Sequence, residues 1–197
     1  MPALPADLLS KHQWVEETFP DIGAPQVADA RKDCAARGDK TTDDTAALQA
    51  CLSKHKSVFL PPGMYRISDT LQLQPGGSLV GMNNGASMLL AATRGFPTAT
   101  AASPQPMVRT ADDSGPDSSP SILAFVGVVT WQHLAHVYTL DWRTQHPLSV
   151  WRSNFESRDC ECLWLSAYQQ LRPTIVPCSL PVNMTIAKSV FRGLGRV

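Results

Sequence analysis

Charge is scarce in this chain and evenly split. Only 17% of its 197 residues are charged, and Lys plus Arg match Asp plus Glu at 17 each, for a formal net charge of zero. With no basic stripe there is no electrostatic handle for phosphate backbones, which excludes nucleic acid as an expected partner. Long apolar runs are missing too. The longest, residues 122–129, falls far short of the roughly 18–20 residues that span a bilayer, so it reads as a buried strand and no membrane partner is expected. Residues 1–10 lack the basic start, apolar stretch and small-residue cleavage site of a secretory signal. Metal-ligand spacing is also incomplete: Cys160 and Cys162 with one distant Cys178 lack the second half of a zinc pattern, and no metal is expected. What remains is 43% hydrophobic residues in a chain long enough to bury a core.

The richest local pattern runs from Arg37-Gly38-Asp39 through Thr42-Asp43-Asp44-Thr45 to Pro61-Pro62-Gly63-Met64-Tyr65. Asp43 or Thr42 is expected to accept a hydrogen bond from the first-turn amides of a helix, with Asp44 facing the positive end of its dipole. Ala47, Leu48, Cys51 and Leu52 line one face of that short helix and require an apolar surface beneath it. Val58-Phe59-Leu60 follows as a β-prone run, stopped at Pro61-Pro62-Gly63, where Gly63 is expected to supply the positive φ of a type II turn. Tyr65, Ile67, Leu71 and Leu73 then alternate, so short strands succeed one another through tight turns. Ser78-Leu79-Val80-Gly81-Met82 and Ser87-Met88-Leu89-Leu90 continue the series across Asn83-Asn84-Gly85, a strong turn signal.

These residues resemble the opening of the pectate-lyase-like superfamily, in the branch that includes rhamnogalacturonase, epimerase, exo-1,3-glucanase and phage tail-spike domains. The resemblance spans residues 28–82 and rests on the Gly-Asp turn, the Asp-Asp-Thr helix start and the Pro-x-Gly-x-Tyr strand end. Two positions depart from it: Cys34 stands where Gly is usual, and Lys40 replaces the Gly that follows Gly-Asp. The resemblance implies an all-β fold, a right-handed parallel β-helix capped by a short N-terminal α-helix, and an extracellular location. It implies a carbohydrate-active enzyme, hydrolase or lyase, acting on a polysaccharide. The alternative is a non-catalytic β-helix that binds glycans or serves as an adhesive or structural module.

The expected organisation is an N-terminal extension over residues 1–24 and β-helix rungs over 25–197. The Pro/Ser/Thr-rich stretch at about 93–121 is expected to project as a long loop between rungs. Asn183 to Gly195 reads as one further rung with two short strands, and Asn183-Met184-Thr185 is a glycosylation sequon. With no cap after it, the chain is expected to be the first part of a longer protein and to self-associate through an open last rung. Cys34 and Cys51 are placed either to bridge the helix to the first rung, worth on the order of 3 kcal/mol, or to remain two buried thiols.

Sugar-acid chemistry calls for carboxylates and a cation that holds an anionic substrate. The densest cluster is Asp141-Trp142-Arg143 followed by Glu156, Arg158 and Asp159. Two carboxylates about 5–10 Å apart suit glycoside hydrolysis. An Arg base with Asp-ligated Ca²⁺ suits β-elimination; no other cofactor is expected. The competing reading of each residue is a solvated ion pair. Trp131, Trp142, Trp151 and Trp164 are candidates for sugar stacking and equally for rung-filling core.

Overall fold

A computed structural model describes residues 20–112, 121–130, 134, 136–143, and the backbone of the strands Ser149–Ser157 and Asn183–Ser189. The described elements are β1 (Val27–Asp29), β2 (Asp39–Asp43), α1 (Thr45–Lys54), β3 (Ser57–Leu60), β4 (Gly63–Ile67), β5 (Leu71–Gln72), β6 (Ser78–Gly81), β7 (Ser87–Ala91), β8 (Gln105–Arg109), β9 (Ile122–Ala124), β10 (Gly127–Thr130), β11 (Val137–Asp141), β12 (Ser149–Ser157) and β13 (Asn183–Ser189).

The strands coil as a parallel β-helix with three faces. One face stacks β1, β3, β6, β9 and the first part of β12; the second stacks β2, β4, β7, β10 and the last part of β12. Because β12 serves both, hydrogen bonding joins these nine strands, with β13 paired to β12 as a tenth, into a single sheet. The third face stacks β5, β8 and β11. Every pairing is parallel except that between β12 and β13.

Register explains the core. Ala28, Val58, Leu79 and Leu123 lie directly above one another on the first face. Tyr65, Leu89 and Val128 do so on the second, and Leu71, Val108 and Leu140 on the third. All ten are buried, and the three ladders meet in one apolar cluster. Each fully buried Leu or Val stabilises the coil by about 1.5–3 kcal/mol.

Helix α1 closes the first rung by turning Leu48, Cys51 and Leu52 onto that cluster. Cys34 is disulfide-bonded to Cys51. Ala35, Gly38 and Lys40 all adopt positive φ, at 61°, 62° and 70°. Lys40 thus holds the left-handed conformation at the very position where the resembled family carries Gly.

Several sequence expectations change here. Asp44 occupies the N-cap position, yet its side chain makes no cap hydrogen bond. Its buried carboxylate instead accepts the amides of Arg37 (2.7 Å) and Gly38 (2.8 Å), folding the preceding turn onto the helix start. Asp43 takes the amide and hydroxyl of Thr45, and Thr42 donates its hydroxyl to Asp39 and caps nothing. Gly63 supplies no positive φ; it opens β4, where a Cβ would meet Gly38 O at 2.9 Å, so close approach is what requires glycine. The stretch at 93–121 is not loop throughout, since β8 lies inside it with Met107 and Val108 fully buried. Its Pro/Ser/Thr flanks dilute a five-residue strand signal. Asn183 to Ser189 forms one strand antiparallel to β12, not the two short strands of another parallel rung; residues 190–197 lie outside the described residues.

Candidate functional site

The third face gathers the polar chemistry. Inward Leu71, Val108 and Leu140 leave their neighbours Gln72, Arg109 and Asp141 in register on the outer side. Asp141 Oδ2 accepts from Arg109 Nε at 2.9 Å and from Arg143 Nε at 2.7 Å. Arg143 also lies 3.5 Å from Asp112 and donates its backbone amide to Thr110 Oγ1 at 2.7 Å. The carboxylate side chain of Asp141 is only 1% exposed, whereas Arg109 and Arg143 are 30% and 38% exposed and Asp112 is 72% exposed. One sunken anion therefore orients two guanidinium groups that are themselves partly exposed.

The electrostatics follow. Burial alone would lower the pKa of Arg143, but its hydrogen bond to Asp141 and the charges of Asp141 and Asp112 raise it on balance. Burial pushes up the pKa of the neighbouring Tyr138 phenol, with the charge of Asp141 acting in the same direction. Tyr65, buried in the first rung with its hydroxyl donated to Pro61 O at 2.9 Å, is pushed up by burial to about 12.

Of the predicted site residues, Asp141 and Arg143 are brought together. Trp142, between them, is 3% exposed and packs in the main apolar cluster, which leaves it no face for a sugar ring. It fills the core because the residue after Asp141 turns inward at the end of β11. The side chains of Glu156 and Trp151, and all of Arg158, Asp159, Trp131 and Trp164, lie outside the described residues; β12 does bring the backbone of Glu156 and Trp151 beside β10 and β9. Asn183 has a described backbone only, at the start of β13. Sequence reading missed Arg109 and Asp112. Register unites Arg109 with Asp141, and Asp112 joins the group through Arg143; a long stretch of chain separates the partners. Among the described residues no three His, Cys, Asp or Glu side chains converge as a metal cage, and no helix is long and apolar enough to cross a membrane.

Stacked parallel faces, a helix over the first rung and a polar ladder on one outer face define a pectate-lyase-like β-helix. Residues 30–128 match the family model described as rhamnogalacturonase A/epimerase, pectate lyase-like, and the chain belongs to that family. It is 43% identical over 65 residues to a protein described as the non-secreted LysM effector LysM19 of Penicillium expansum, covering 31% of this chain and 5% of that protein. It is 29% identical over 83 residues to a glucan 1,3-beta-glucosidase of Cochliobolus carbonum, covering 39% and 10%. The chain therefore spans a tenth or less of these curated relatives. Among solved structures, the A-module of the Azotobacter vinelandii mannuronan C-5 epimerase AlgE4 overlaps with a TM-score of 0.40 at 18% identity, over 64% of this chain and 44% of that one. A galactohydrolase of a sulfated galactose polymer overlaps with a TM-score of 0.44 at 12% identity, over 80% and 39%.

Proposed function

We propose that this protein is a carbohydrate-active enzyme acting on a polysaccharide by hydrolysis or β-elimination, with the Arg109–Asp141–Arg143 group as a sugar-contacting element. Membership of the rhamnogalacturonase/epimerase family is the observation that carries this reading. The glucan 1,3-beta-glucosidase relative agrees with it. The geometry suits contact better than proton transfer: Asp141 already accepts two guanidinium donors, while Arg109 and Arg143 are partly exposed cations of the kind that bind hydroxyl or carboxylate oxygens.

A non-catalytic glycan-binding or structural module is the second reading, favoured by the sunken position of Asp141. Elimination of the Ca²⁺-dependent kind would need oxygen ligands the described group does not supply, because Asp112 and Asp141 both face Arg143. An extracellular setting is part of the proposal, supported by the Cys34–Cys51 disulfide.

Product analysis of the full chain on polyuronides and β-glucans tests these readings. New reducing ends without unsaturation identify a hydrolase, unsaturated ends a lyase, and retention without turnover a binding module. Neither retention nor turnover on any glycan would overturn the proposal.

A further inference from the structure

We infer that Asn84 is a deamidation site of the folded chain, and that the side chain of Asn83 sets its rate. Asn84 and Gly85 are the central residues of the turn between β6 and β7, closed by Ala86 N donating to Asn83 O at 3.0 Å. Gly85 is exposed, and a Cβ built on it would meet only Asn83 Oδ1, at 3.4 Å. Apart from Asn83, no side chain beyond the two chain neighbours crowds Gly85, whose nitrogen is the atom that must reach the Asn84 side-chain amide carbon. Attack forms the N–C bond of a five-membered succinimide and expels the side-chain nitrogen as ammonia. Water then opens the ring at either carbonyl, leaving aspartate or isoaspartate at position 84.

The structure also shows the brake. Gly85 N–H donates to Asn83 Oδ1 at 2.7 Å, so the nucleophile loses its proton less readily and is turned towards residue 83. Asn83 Oδ1 is released by rotation of one exposed side chain, while the turn keeps its backbone bonds from Ala86 and Ser87 to Asn83 O. The product matters for the fold because the carbonyl of Asn84 sits against Gly127 of the next rung, with no room for even a Cβ there. An isoaspartate inserts one main-chain carbon and a negative charge at that contact.

The test is peptide mapping of the folded full chain held at mildly alkaline pH, with isoaspartate quantified at position 84. The wild type is expected to convert slowly, Asn83→Ala several-fold faster, and Gly85→Ala not measurably. Gly85→Ala fits without strain, since Gly85 does not adopt positive φ. Equal rates in the wild type and Asn83→Ala would overturn the role of Asn83. An intact Asn84 in Asn83→Ala, over a time in which the urea-unfolded chain converts, would overturn the site.

Discussion

At the residue scale, two acidic neighbours that look alike in the sequence do different work. Asp43 is exposed and binds Thr45, whereas Asp44 is buried and satisfies the backbone amides of Arg37 and Gly38. Replacing Asp43 by Ala is expected to cost about 1 kcal/mol, as for an ordinary helix-start residue. Asp44→Ala strands the buried amide of Gly38 and the part-buried amide of Arg37 and is expected to cost about 2–4 kcal/mol. Urea denaturation of both variants checks the order, and equal losses would remove the special role given to Asp44. Lys40 offers the opposite case. Its left-handed φ is costly for a side chain bearing a Cβ, so Lys40→Gly is expected to raise stability by about 0.5–1 kcal/mol. A lower denaturation midpoint would show that the lysine side chain compensates. Acid sensitivity belongs here as well. Backbone and side-chain hydrogen bonds from Thr42 and Thr41 hold the pKa of Asp39 well below the usual carboxylate range. Because its folded pKa is depressed, its contribution is present above about pH 4 and lost as pH falls towards the folded value. Asp39→Asn should therefore flatten the acid limb of a pH–stability curve by lowering stability at neutral pH while leaving it almost unchanged at low pH.

At the scale of elements, α1 does more than cover apolar surface. The Gln49 side chain accepts from Gln72 N at 2.8 Å and donates to Gln72 O at 3.1 Å, the two bonds a neighbouring strand would make. It thereby seals β5, the edge of the third face. Gln49→Leu should leave the helix intact and speed amide exchange at Gln72; unchanged exchange would mean the edge is protected otherwise. The Cys34–Cys51 bond ties the turn before β2 to the same helix. Breaking it by a double Cys→Ser substitution is expected to cost about 3 kcal/mol in thermal or chemical unfolding. The helix, the strands β3 to β7 and the buried face of α1 were legible because periodicity and turn chemistry are local, whereas β2, polar throughout, reads as a turn and helix start. β8 was hidden by its Pro-rich surroundings. The joint action of Gln49 with Gln72, and of Arg109 with Asp141, could not be read, because each pairing depends on register between rungs.

At the scale of the whole molecule, the corners between the first and second faces differ from rung to rung. Pro61-Pro62 makes one, residues 82–86 the next, and Phe125 at a φ of 57° with Val126 the third. β12 has no such break: Ser149, Val150 and Trp151 pair with β9, and Asn154 to Ser157 pair with β10, along one uninterrupted strand. In a solenoid whose strands end at every corner, each face of a rung can fray on its own. Here the loss of β12 from one face pulls on the other. The two faces at this level are one cooperative unit, and a force applied to the chain beyond Ser157 would be shared between β9 and β10 before either let go.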